Sequence, residues 1–197
     1  IALRWFVGGA IAVLASLPVI WSSLRGYQQD RVRTFLDPES DPLGAGWNIL
    51  QSKIALGSGG LFGKGFLEGS QSHLNFLPEK QTDFIFTMLA EELGMAGALL
   101  LITLYMLIIA YGFGVALRCS NQFGRLLALG VVATFSLYVF INIAMVTGLI
   151  PIVGVPLPLI SYGGTAMLTL MVAFGLLASA HVHRDIAIPR HTGGGPF

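Results

Sequence analysis

The sequence predicts an all-α integral membrane protein, and three observations carry that expectation. Of the 197 residues 54% are hydrophobic and only 11% charged, less than half the roughly 25% charge of a soluble domain, and mean hydropathy is +0.76. Four apolar stretches, 3–24, 84–117, 124–149 and 159–180, are each long enough to cross a hydrocarbon core of about 30 Å, which takes about 20 helical residues. Most of the charges lie in one segment between the first two stretches. The expected architecture is a single membrane domain: a polytopic helix bundle with four transmembrane helices, one large loop over 25–82 and a tail over 181–197.

Each element follows from local chemistry. The first apolar stretch begins almost at Ile1, without an initiator Met or the basic leader and small-residue cleavage site of a signal peptide, so the sequence is expected to start inside a longer protein. In the loop, GWNILQSKIALG (46–57) spaces Trp47, Leu50, Ile54 and Leu56 roughly along one helical face, which predicts an amphipathic helix lying on the membrane surface. The following ALGSGGLFGKGFLEGS holds six glycines in sixteen residues and reads as a loop. It is not a nucleotide cradle: Ser58 stands five before Gly63, Gly65 follows Lys64, and Phe62 occupies the third glycine of a dinucleotide pattern.

The second stretch exceeds one crossing and is expected to tilt or to extend past the lipid. After the third, IPIVGVPLP (150–158) is uncharged yet carries Pro151, Pro156 and Pro158, which cannot continue a helix. Irregular backbone at membrane depth must be buried in protein or line a cavity, so this connection is expected to fold back into the bundle. Ser161, Gly163, Gly164 and Thr165 then open the fourth helix, where small residues predict close helix contact.

A net charge of +1 with eleven scattered basic residues excludes a nucleic-acid partner. The single Cys119 excludes an internal disulfide, a redox pair or a cysteine zinc site. Arg4, Arg118, Arg125, Arg184 and Arg190 flank the helices on one side, which the positive-inside rule assigns to the cytoplasm. The uncharged 150–158 connection and the 25–82 loop then lie outside. That loop also holds six basic residues, but long loops weigh little in the rule, and six acids accompany them.

Where chemistry is concerned, Asp83 follows Thr82, a good N-cap, and is expected in the first turn of the second helix at the outer surface. That position suits a carboxylate that merely starts a helix. It equally suits one serving a lipid-anchored substrate, because Glu79, Lys80, Gln81 and Thr82 crowd the same point behind Pro78. In one continuous helix Glu91 and Glu92 would lie about 12–13 Å deeper and project about 80° and 180° from Asp83. One of them is expected to line a polar cleft and the other to meet an interhelical partner such as Asn142. His181 and His183, two apart, do not converge on a metal and read as cations at a helix C-terminus. His73 has no histidine near it in sequence.

Two long motifs resemble one family. The run DPESDPLGAGWNILQSKIALGSGGLFGKGFLEGSQSHLNFLPEKQTDFIFTMLAEELG is similar to the outer loop of the SEDS proteins (shape, elongation, division and sporulation), and NIAMVTGLIPIVGVPLPLISYGGTA (142–166) to that family's signature. GFLEGSQSHL and PEKQTD resemble the rod-shape, RodA-like branch instead of the division branch. The resemblance implies the C-terminal portion of a parent with about ten helices. It implies a glycosyltransferase that polymerises lipid II into peptidoglycan for cell elongation and rod shape, by inverting transfer with a polyprenyl diphosphate leaving group. The implied location is the bacterial inner membrane, with the site on its extracytoplasmic face and a class B penicillin-binding protein as partner.

The family's essential carboxylate matches Asp83. Substrate contacts are expected from Lys53, Lys64, Ser70, Gln71, Glu79 and Lys80, and structural or cavity roles for Glu91, Glu92, Asn142, Pro151, Ser161, Gly163 and Gly164. A diphosphate departs without a proton, so one carboxylate suffices as base. A helix N-terminus weakens that base but suits ligation of Mg²⁺ or Mn²⁺ by Asp83, and both roles stay open. Two alternatives from other classes are a lipid II transporter and a non-catalytic scaffold for the transpeptidase.

Overall fold

The computed structural model describes residues 15, 16, 18, 20–41, 44–65, 68, 69 and 82–185. Among these every regular element is helical: α1 (Gly26–Leu36), a 3₁₀ turn (Pro38–Ser40), α2 (Ala45–Ser58), α3 (Ile85–Arg118), α4 (Gln122–Val146) and α5 (Gly164–Val182). α3, α4 and α5 are the three described helices long and apolar enough to cross a membrane. Most of the first predicted span, 3–24, and of the tail, 181–197, lies outside the described residues.

The core of the bundle is aromatic and aliphatic. Tyr105 of α3 meets Phe135 of α4 edge-on at 5.8 Å, and Phe135 meets Phe174 of α5 at 5.4 Å. These T-shaped contacts, each worth about 0.5–1.5 kcal/mol beyond area burial, tie the three spans together. α4 starts because Asn121 Oδ1 accepts from the amides of Phe123 and Gly124, satisfying two orphan donors. It ends in a Schellman turn: Gly148, at φ +73, donates to Met145 O, and Leu149 N donates to Ala144 O. α5 begins at Gly164 and not at 159, because Leu159 (φ 67) and Gly163 (φ 174) leave the helical region.

Three expectations need correction. α3 is not one continuous rod: Gly94, at φ 69 and ψ −167, breaks it into 85–93 and a membrane-length piece. The glycine-rich loop after α2 enters the break. Lys64 N and Gly65 N donate to Glu91 O and Glu92 O, while Met95 N and Ala96 N donate to Gly60 O and Leu61 O. The loop thus satisfies helix-end groups on both sides, which lipid could not do. Its glycines are required sterically, since a Cβ on Gly63 would lie 2.0 Å from Glu92 O and one on Gly59 2.1 Å from Ala90 O.

Second, α2 does not float on its apolar face. It docks through Gly46, Ile49, Ser52 and Ala55, all buried, while Trp47 and Ile54 point outward. Ser52 Oγ donates to Val146 O at 2.9 Å and lies 2.8 Å from Thr87 Oγ1. With its proton already given to the carbonyl, Ser52 accepts from Thr87, so one hydroxyl joins α2, α3 and α4. Third, among the described residues Gly164 mediates no close helix contact, because a Cβ there would meet none of them within 4 Å.

Candidate functional site

The 150–158 connection turns back onto the bundle, and side chains satisfy its free backbone groups. Tyr105 Oη donates to Pro158 O at 2.6 Å, Asn142 Nδ2 to Val155 O at 2.6 Å, and Leu157 N to Ser161 Oγ at 2.7 Å. The amides of Val153 and Gly154 donate to Met145 Sδ at 3.3 and 3.4 Å. Leu157 is 1% exposed and belongs to the core, while Pro151 is half-buried.

Asp83 faces this connection. Its Oδ2 lies 3.2 Å from where a Cβ on Gly154 would stand, and Gly154 has φ +80. The carboxylate therefore rests against bare backbone at a position whose conformation favours glycine. Asp83 is half-buried and sits in the turn 82–84, before the first helical residue, Ile85. It is thus not in the first helical turn, and Thr82 does not cap α3: Phe84 holds the cap position without any side-chain bond.

Two buried side chains hold that turn. Asn142, wholly buried, donates from Nδ2 to Asp83 O at 2.8 Å, and Ser161 Oγ donates to Thr82 O. Asn142 is therefore a partner of the Asp83 backbone and not of either glutamate. Beside the turn, a cavity of about 500 Å³ is lined by Ile85, Ser161, Tyr162, Gly163, Gly164 and Met167. A second, largely apolar cavity of about 670 Å³ between α4 and α5 shares Ser161 with it.

The two glutamates differ in their surroundings. Glu91 is wholly buried, and its Oε1 receives Lys64 Nζ at 2.7 Å. Lys64, expected at the substrate, pins the glycine loop to the broken helix through this pair. Glu92 is half-buried next to that loop. Lys53 is exposed, with its side-chain end against Gly148 at the end of α4. Ser70, Gln71, His73, Glu79 and Lys80 lie outside the described residues. His183 Nδ1 contacts Ser179 O at 3.0 Å at the opposite end of the bundle.

One residue escaped the sequence reading. Arg31 of α1 is exposed and reaches across the loop to donate to Val153 O at 3.5 Å, one residue from the glycine that meets Asp83. No motif marked it among six basic residues of the long loop, and only the docking of α1 brings it there.

Comparison with known proteins agrees with this architecture. The family model for cell cycle proteins that covers FtsW, RodA and SpoVE matches residues 1–186. The chain is 55% identical over 187 residues to peptidoglycan glycosyltransferase MrdB of Escherichia coli K12, covering 93% of this chain and 50% of that protein. It is 45% identical over 161 residues to peptidoglycan glycosyltransferase RodA of Treponema pallidum, covering 82% and 37%. Among solved structures, a peptidoglycan synthase complex matches with TM-score 0.73 and 31% identity over 93% of this chain and 50% of the other. An Asp-to-Ala variant of the rod shape determining protein RodA of Thermus thermophilus matches with TM-score 0.54 and 32% identity, covering 68% and 41%. The chain thus spans about half the length of the E. coli relative and less of the other. A family match over nearly all of its residues, on a helical bundle with membrane-length spans, makes this chain a member of the FtsW/RodA/SpoVE family of membrane proteins.

Proposed function

We propose that the protein polymerises lipid II into peptidoglycan glycan strands, with Asp83 as the group that activates the acceptor sugar. The observation that carries the reading is the placement of this one carboxylate. Its turn is held by Asn142 and the carboxylate rests against Gly154, next to a cavity and one residue along the loop from Val153, whose carbonyl accepts from Arg31. The names of the relatives at 55% and 45% identity support it.

In the proposed step the acceptor hydroxyl oxygen attacks the anomeric carbon of the lipid-linked donor and passes its proton to the Asp83 carboxylate. The bond from that carbon to the diphosphate breaks with its electron pair going to the diphosphate, and configuration inverts. The leaving group takes no proton, so no second acid is required, unlike glycoside hydrolysis.

Among the described residues no three His, Cys, Asp or Glu side chains converge. Of the described residues only Asp83 is assigned to a Mg²⁺ or Mn²⁺ in this reading, and the ion would supply charge neutralisation for the departing diphosphate. By the same reading the protein works in the bacterial inner membrane with the Asp83 end facing outward, beside a class B penicillin-binding protein. The test is Asp83→Asn in the full-length protein, reconstituted in vesicles with lipid II and assayed for glycan strands. Polymerisation is expected to fall at least about a hundredfold, and a folded variant that keeps wild-type rates overturns the assignment.

A further inference from the structure

We infer that Asn142 and Ser161 are positioning residues for the reaction, a two-point clamp that sets the Asp83 carboxylate against the 150–158 loop. The inference rests on the reading of Asp83 given above. Each side chain makes the same kind of bridge. Asn142 gives one Nδ2 proton to Asp83 O at 2.8 Å and the other to Val155 O at 2.6 Å. Ser161 gives its hydroxyl proton to Thr82 O and accepts the amide proton of Leu157 at 2.7 Å. Consecutive carbonyls of the Asp83 turn are thus stitched to two points of one loop.

The chemistry of the partners leaves little freedom. Both Asn142 contacts are carbonyls, which only accept, so its amide nitrogen and not its oxygen must face them. Its Oδ1 is buried and has no partner among the described residues, at a penalty of about 1–3 kcal/mol. An apolar residue would avoid that penalty, so the structure keeps Asn142 for its two donors. Ser161, 8% exposed, uses both its proton and a lone pair. Neither side chain touches the carboxylate itself. They fix the backbone that carries it, and a displacement of about 1 Å is enough to cost about a hundredfold in rate.

A merely structural role would lower the amount of folded protein without changing how each folded molecule turns over. The test therefore uses the full-length protein in vesicles with lipid II. Its variants are Asn142→Asp, which keeps the shape but leaves at most one donor, on the protonated acid, where the amide had two, Ser161→Ala, which removes the hydroxyl, and Ser161→Thr, which restores it. For active protein, Asn142→Asp and Ser161→Ala are expected to lower kcat about ten- to a hundredfold with KM for lipid II changed by less than about threefold. Ser161→Thr is expected to retain most of the rate.

A second readout needs no catalysis. With Cys119 replaced by Ser, Asp83→Cys is labelled with a membrane-impermeant maleimide, alone and combined with Asn142→Asp or Ser161→Ala, and labelling is expected to quicken several-fold when either clamp is lost. Wild-type kcat in both Asn142→Asp and Ser161→Ala overturns the inference, as does an equal loss in Ser161→Ala and Ser161→Thr, or labelling that ignores both changes. Asp83→Asn in the same assay separates the two claims. If it is inactive while the clamp variants turn over normally, the clamp alone fails; if it polymerises normally, the base assignment fails and the labelling decides the clamp.

Discussion

Glu91 shows what one residue can require of its surroundings. A carboxylate with no exposed surface demands a compensating charge, and Lys64 Nζ at 2.7 Å provides one. Lys64→Met removes that charge from beside a buried carboxylate and is expected to cost about 3 kcal/mol, whereas Lys64→Met with Glu91→Gln should restore most of the loss. Thermal melts of the purified protein in detergent, read as a double-mutant cycle, check both. Arg31 calls for a different measurement. Its guanidinium is exposed and bonded only to Val153 O among the described residues, so Arg31→Ala should leave the fold intact. Under the proposed function it is expected to raise the KM for lipid II about three- to tenfold with a smaller change in kcat. Sequence pattern could nominate Asp83 and the glutamates, since ionisable groups at an apolar boundary stand out. It could not say which glutamate is buried, because Glu91 and Glu92 differ by one position and the choice depends on where Lys64 arrives.

At the scale of elements, positive-φ glycines separate two kinds of constraint. A Cβ on Gly94 would meet Gly63 N at 2.3 Å and Leu61 C at 2.7 Å, both backbone atoms, at φ +69. A Cβ on Gly148, at φ +73, would meet Lys53 Cε at 2.4 Å and Nζ at 2.9 Å, the far end of a flexible side chain. Both replacements carry the cost of a positive φ, about 1–2 kcal/mol for the left-handed Gly148 and about 1–3 kcal/mol for Gly94, whose ψ of −167 lies in a region almost reserved for glycine, and only Gly94 adds an overlap that cannot swing away. Gly94→Ala is therefore expected to destabilise by about 2–5 kcal/mol and Gly148→Ala by about 1–2 kcal/mol, measured by thermal melts of the two variants side by side. The glycine density after α2 was legible as a loop over 59–65, although Ala55–Ser58, expected in the same loop, complete the helix. That the loop plugs a break in α3 was not, because a helix from Ile85 to Arg118 shows nothing locally unusual at Gly94 beyond the residue itself.

For the whole molecule, the large apolar side chains left exposed on the three spans, among them Leu100, Leu107, Leu117, Phe140, Leu168 and Val172, mark surface that only lipid or further helices can cover. Residues 1–197 alone, purified in vesicles, are accordingly expected to give no polymerisation of lipid II where the full-length protein does. Orientation has its own check. In a Cys119→Ser background, an impermeant thiol reagent added to intact cells is expected to label a cysteine at exposed Val153 and to spare one at Gln122, the pattern set by the arginines beside α3 and α4.

By itself the sequence determined that this is a helical membrane protein, roughly where its three described spans run, and which carboxylate stands at the boundary. Each apolar segment must satisfy the bilayer separately, so its signal is local and additive. Tertiary structure alone decided the pairings that make a site: Lys64 with Glu91, 27 positions apart, Asn142 with the Asp83 backbone, 59 apart, and Ser161 with Thr82, 79 apart. Such contacts exist only once the chain has closed on itself, and polar residues in a hydrophobic span reveal that they need partners without revealing which.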